Sequence, residues 1–175
     1  MTGTAVARST VVLFVALAVQ VTLLDGVRVA GAHPDVMLVV AMAAGYVGGP
    51  ERGAGFGFAA GLLADLFLPT TFGLTALVGC LVGYGTGLST RGLVRSSWWL
   101  PLIVAGGATA AGLSAYAILG AVLGDPGIVR ADLVPALAVA TPAAVILATP
   151  VVRFVAWAVP PAVTGHGATA GTGTR

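Results

Sequence analysis

Hydrophobic positions along this chain fall in long, nearly charge-free runs separated by short polar breaks. That pattern differs from the one-faced helices and alternating strands of a water-soluble domain. Six runs predict six helices: 9–24, closed by Asp25; 36–49, ending at Pro50; 53–68, with one internal acid, Asp65; 70–90; 98–123; and 133–155. A helix needs about 20 apolar residues to cross the hydrocarbon core of a bilayer, with roughly 17 to 25 tolerated. The second and third runs are the weakest on this measure. Between them, Gly49-Pro50-Glu51-Arg52-Gly53 reads as a turn followed by a helix start. Proline suits the first helical turn, and Glu51 sits at the favourable end of the helix dipole. The two runs are therefore expected to form a tight helical hairpin. The tail, 160–175, is mostly Gly, Thr and Ala without a periodic apolar face, and is expected to be disordered and cytoplasmic.

Composition turns this pattern into a class. Of 175 residues, 58% are apolar and 8% charged, and mean hydropathy is +1.03. Globular domains carry about a quarter charged residues. The expected fold is all-α: an integral membrane helical bundle over 1–159 with about six transmembrane helices. Net charge is +2, from eight Arg against five Asp and one Glu, with no Lys. Cations so few and so scattered make no basic patch, which argues against nucleic acid as a partner.

Charge placement supplies an orientation. With the N-terminus in the cytoplasm, Arg8, Arg52, Arg91, Arg95, Arg153 and Arg175 fall inside. Arg28 and Arg130 fall outside with Asp25, Asp35, Asp125 and Asp132. Arginine excess on the cytoplasmic side is the known bias, and Trp98, Trp99 and Trp157 gather at the same inner interface. Arg8, an apolar stretch and Ala30-Gly31-Ala32 loosely resemble a cleavable signal. The apolar part is long for one, and Asp25 and Arg28 interrupt the approach to the cut, so a retained first span is expected.

Within the runs, small residues recur every fourth position. Gly53, Gly57 and Gly61 form one row whose next member is Asp65; Thr75, Gly79, Gly83 and Gly87 form another. Lipid tails are as apolar as leucine, so helices in a bilayer associate by close backbone approach, which such rows allow. Both helices are expected to be buried against neighbours within the chain. Asp65, about 18 Å along its helix from Gly53, is the only acid inside a predicted span. It should face the bundle with a partner, accepting hydrogen bonds from a neighbouring helix end or from Thr70 and Thr71. Asp35, after Pro34, is read as a favourable acid at the start of the second helix.

Candidate chemistry is sparse. Cys80 lies mid-helix without a base, and His33 and His166 are isolated at opposite ends of the chain. No Cys/His grouping has metal-ligand spacing, and no nucleophile has a titratable neighbour in sequence pattern. The reading is non-enzymatic, with no cofactor. Gly55-Phe56-Gly57 neither follows a strand nor carries a Lys-Ser/Thr ending, so it is not a nucleotide loop.

The central segment reads Pro34-Asp35-Val36-Met37-Leu38, Tyr46, Pro50-Glu51-Arg52-Gly53, Gly57-Phe58, Gly61-Leu62, Asp65-Leu66, Gly73-Leu74, Ala76-Leu77 and Gly83-Tyr84. In this order and spacing it resembles the rod shape-determining protein MreD family over roughly residues 25–87. Pro34, Asp35, Pro50 and Arg52 match that family's Pro-Asp start and Pro-x-Arg turn. One departure is Leu68-Pro69, where the family commonly has a Ser-Gly turn. The resemblance implies a fold similar to the substrate-binding subunits of energy-coupling-factor vitamin transporters, in a bacterial inner membrane with both termini cytoplasmic. It also implies a scaffold role in cell elongation and lateral peptidoglycan synthesis. The partners implied are MreC, a bitopic membrane protein, and indirectly RodA, a class B penicillin-binding protein and MreB. The competing class is a transporter subunit that binds a small solute or lipid. A polar ligand needs several convergent polar side chains. The spans offer only Gln20, Thr22, Thr75, Thr86, Thr109, Ser114, Tyr116 and Thr141 besides Asp65.

Overall fold

A computed structural model describes residues 3–24, 35–67, 72–91, 99–122 and 133–159, and among these all regular structure is helical. The described residues form six α-helices: α1 Gly3–Val19, prolonged by a π-helical turn Gln20–Leu24, α2 Val36–Gly48, α3 Pro50–Asp65, α4 Leu74–Ser89, α5 Leu100–Val122 and α6 Leu133–Ala158. The six expected runs and the six helices coincide, with ends shifted by a few residues. The expected tail 160–175, Pro34, Asp25, Arg28, His33, Leu68-Pro69, Thr70, Thr71, Arg95, Trp98, Asp125, Arg130, Asp132, His166 and Arg175 lie outside the described residues.

Local chemistry explains several ends. The α2–α3 hairpin turns on Gly49, whose φ of 82° favours a residue without a Cβ. Pro50 follows at the first helical position, where its missing N–H removes no hydrogen bond, and Glu51 sits in the first turn. Helix α4 starts behind Gly73, at φ 93°, which can adopt this conformation but offers no side chain to cap the helix. At α2, Asp35 Oδ1 accepts from the Leu38 N–H at 3.1 Å, and Gln20 Oε1 from the π-turn accepts from the Val36 N–H at 2.8 Å. Two of the orphan donors at that helix start are thus met by side chains, one local and one from α1.

Helix α2 is the centre. All its residues but Leu38 are buried, as expected of a helix that is apolar all round. At 13 residues it is about 20 Å long, shorter than the hydrocarbon core of a bilayer. Helices α3 and α4 pack against it and against each other; α1, α5 and α6 stand outside. Two of the outer helical stretches, Leu100–Val122 and Ala140–Ala158, are long and apolar enough to cross a membrane, yet only 17% and 22% of their most apolar windows are buried. Neither is mostly buried, as a core helix would be. Ile103, Ile118 and Ile146 are each 60% exposed or more.

Among the described residues the arginines gather at one end of the bundle, with Glu51 beside Arg52. The Arg8 guanidinium lies 5.0 Å from the centre of the Trp157 ring, which brings the start of α1 to the end of α6. Gly48 at the end of α2 abuts Val159 and Arg52, and Gly87 near the end of α4 abuts Pro50. Arg8, Arg52, Arg91 and Arg153 therefore share one end of the bundle with Trp99 and Trp157, while Asp35 and Asp65 mark the other.

Replacing Gln20 by Leu strips a buried N–H of its acceptor, and should lower unfolding free energy by about 1–3 kcal/mol. Thr22 bonds only to the Ala18 carbonyl of its own helix, so Thr22→Val should stay within about 0.5 kcal/mol. Thermal unfolding of the purified variants compares the two.

Candidate functional site

The two small-residue rows face each other. A Cβ built on Gly53 would come within 3.0 Å of the Gly83 carbonyl, one on Gly57 would strike the Gly79 carbonyl, and one on Gly61 would strike Thr75. Each step of four along α3 is met by a step of four back along α4, so the antiparallel rows stay in register over three turns. The approach is mutual: Gly79 and Gly83 have the same relation to the Gly57 and Gly53 carbonyls. Glycine Cα–H groups thus point at carbonyl oxygens across the seam, a weak attraction of about 0.5–1 kcal/mol each. The main gain is the dense packing of two backbones with no side chain between them.

Sequence reasoning missed the third wall. Gly45 of α2 meets the Gly83 carbonyl and the Gly87 nitrogen, and Gly53 meets the Gly45 Cα. Three helices therefore converge where Gly45, Gly53 and Gly83 touch. The available signal was Ala41-Gly45-Gly49, a small-residue row with the same four-residue step, hidden by the uniform apolarity of its helix. Glycine alone is not the criterion: Gly55 and Gly85 have nothing within 4 Å of where a Cβ would lie.

Asp65 ends the α3 row at the seam's last turn. It is 5% exposed, and its Oδ2 accepts from the Gly73 N–H at 2.8 Å and the Ala76 N–H at 3.3 Å. The expected hydrogen bonds from a neighbouring helix end are found, and that end is the start of α4. Asp65 replaces the cap that Gly73 lacks, and its charge lies at the positive end of the α4 dipole. Its Oδ1 and the nearby Thr75 Oγ1 are buried without a partner.

Other polar side chains turn back on their own helices. Thr90, Thr109, Ser89 and Ser114 each donate at 2.8 Å to the carbonyl four residues earlier. Such back-bonding satisfies a hydroxyl proton without a distant partner. No three His, Cys, Asp or Glu side chains gather as a metal centre among the described residues. Two spaces remain. An open groove of about 390 Å³ runs between α4 and α5, walled by Leu81, Gly85, Val104, Gly107 and Ala111, with Thr86 and Ser89 as its polar members. A smaller cavity of about 60 Å³ lies deeper, among α2, α4, α5 and α6.

The arrangement defines a class: a helical protein whose helices are joined by facing glycines and by the side chains of Gln20 and Asp65. Compared with known proteins, the chain matches no family model, no curated protein and no solved structure.

Gly57→Ala should destabilise by about 1–3 kcal/mol, because a backbone rather than a flexible side chain must yield. Gly55→Ala on the open face of the same helix should be neutral or gain up to about 1 kcal/mol. Urea or thermal unfolding of the pair tests the seam. By the same measurement, Asp65→Ala should cost about 1–2 kcal/mol through loss of the α4 cap. Asp65→Asn, which keeps an acceptor oxygen, should cost less.

Proposed function

We propose that the chain is a non-enzymatic, six-span scaffold of a bacterial inner membrane, with both termini in the cytoplasm. The observation that carries the membrane part is the pair of long apolar helices whose faces are mostly exposed. An apolar surface of that kind needs lipid or another protein over it. The sorting of Arg8, Arg52, Arg91 and Arg153 to one end and Asp35 and Asp65 to the other supports the orientation, since arginine excess marks the cytoplasmic side. Trp99 and Trp157 at the arginine end suit the aromatic belt. Helices α2, α3 and α4 are too short to span alone.

The scaffold part rests on how the interior is used. Glycine seams and helix caps absorb the small and polar residues, leaving outward helix faces as the available surface. From the resemblance of residues 25–87 to the MreD family, we assign those faces to an MreC-like bitopic membrane protein. Through it the chain would act with RodA, a class B penicillin-binding protein and MreB in cell-shape control and lateral peptidoglycan synthesis. The second reading, a subunit that binds a small solute or lipid, draws on the groove between α4 and α5. Its walls carry too few polar groups to select a polar solute.

Pull-down of the tagged chain in mild detergent should recover an MreC-like protein, and Asp65→Ala should reduce that recovery or the level of the chain. Absence of that protein from the pull-down, together with a ligand-dependent rise in melting temperature, would favour the transporter reading instead. Crossings are tested separately. In a Cys80→Ala background, Arg52→Cys and Arg91→Cys should both react with an impermeant thiol reagent from the same membrane face. Labelling from opposite faces would undo the six-span assignment.

A further inference from the structure

The 390 Å³ groove between α4 and α5 opens on the outside of the bundle, and missing side chains make it. Gly85 on one wall and Gly107 on the other have nothing within 4 Å of where a Cβ would lie. The seam glycines are filled by an opposing backbone; these two face free space. Thr86 lies at the bottom of the groove and is 7% exposed. Among the described residues its hydroxyl has no protein partner, whereas those of Ser89, Thr90 and Thr109 bond to their own helices. A hydroxyl so placed calls for an acceptor from outside the chain.

Length and charge choose the occupant. The two helices run antiparallel, so Ser89 and Val104 mark the arginine end of the groove, and Leu81 and Ala115 its far end. From Val104 to Ala115, α5 rises about 16 Å. Half the hydrocarbon core of a bilayer is about 15 Å, the depth that one lipid chain occupies. A membrane-spanning helix needs the full thickness of about 30 Å, and at about 10–12 Å across it is too wide to enter the groove whole. A polar metabolite would find only Thr86 and Ser89 to recognise it. An acyl chain asks only for apolar walls. At the mouth, Arg91 stands exposed two residues beyond Ser89. The end of α4 and the start of α5 meet there with opposite half-charges that offset each other, so the side chains set the sign. Among the described residues that end of the bundle holds Arg8, Arg52, Arg91 and Arg153 against Glu51, which favours an anion. Trp99, 52% exposed at the start of α5, suits the level of the lipid headgroups.

We propose that this groove holds one anionic phospholipid of the arginine-side leaflet. An acyl chain lies between α4 and α5, the phosphate pairs with Arg91, and the Thr86 hydroxyl donates to an ester carbonyl. Thr86 is about 7 Å nearer the membrane centre than Arg91, which is the order in which a phospholipid presents its phosphate and its esters. The lipid fills the free space at Gly85 and Gly107 and ties α5 to the central three helices. The inference rests on the membrane part of the reading above and leaves the scaffold part untouched.

Native mass spectrometry of the full chain in detergent, with dioleoylphosphatidylglycerol or dioleoylphosphatidylcholine added, tests it. One phosphatidylglycerol should be retained in preference to phosphatidylcholine, and Arg91→Gln should cut that preference about fivefold. Gly107→Leu places a side chain in the groove and should abolish retention. Gly55→Leu, in equally free space on α3 outside the groove, should leave it unchanged. Equal retention of the two lipids, or full retention by Gly107→Leu, would overturn the proposal. Should Gly107→Leu not fold, Gly85→Leu fills the groove from the opposite wall, and Arg91→Gln, at an exposed position, still reads the headgroup. Loss of a co-purifying protein from Gly107→Leu, with lipid retention intact, would give the groove to a protein helix instead. Carbonate washing of membranes keeps the two readings apart. A chain that stays in the membrane pellet but shows no lipid preference refutes the lipid site alone, whereas a chain released by carbonate refutes the membrane reading and the site with it.

Discussion

The fold depends on how closely the backbones of α3 and α4 approach. Where Gly57 faces Gly79 and Gly53 faces Gly83, a single methyl group on either side would collide with a carbonyl of the opposite helix. That contact sets the relative depth of the two helices, because only one register brings every glycine opposite a backbone. It also brings Asp65 to the start of α4 and Gly87 to Pro50, so the cap and the hairpin follow from the same register. Gly45 extends the constraint to α2, and the central three helices become one unit around which the longer helices stand.

Helix ends pose the second problem. A backbone N–H cut off from water must find an acceptor, and in a lipid environment solvent cannot supply one. This chain solves it with long-range side chains. Gln20, on a π-helical turn, reaches the start of α2, and Asp65 reaches the start of α4, each crossing from another helix. Caps of this kind join elements as well as satisfying them. Asp65 at the start of α4, like the local cap Asp35 at the start of α2, is an acid held at a positive helix end, where the field favours it.

The use of the interior also bears on function. A catalytic or transport site draws polar groups from several helices toward a space large enough for a substrate. Here the buried hydroxyls of Thr90 and Thr109 close on their own helices, and the seam glycines close on each other. Large apolar side chains are exposed on α3 and α4, as at Phe58 and Leu81, as well as on α1, α5 and α6.

Much of this was legible in the chain. Charge-free runs located all six helices, the four-residue step picked out Gly53, Gly57, Gly61, Gly79, Gly83 and Gly87, and the lone acid among them marked Asp65 as a buried partner-seeker. These are local properties: hydropathy, spacing and proline placement report on a helix without reference to its neighbours. What the tertiary structure alone decided is pairing. A row of glycines does not state which row it faces. Neither the place of Gly45 at the three-helix contact nor the reach of Gln20 to Val36 follows from periodicity. In α2 every side is apolar, so no pattern distinguishes the packed face from the rest. Only the arrangement of the neighbouring backbones does so, because in this fold contact is made by the absence of side chains rather than by their kind.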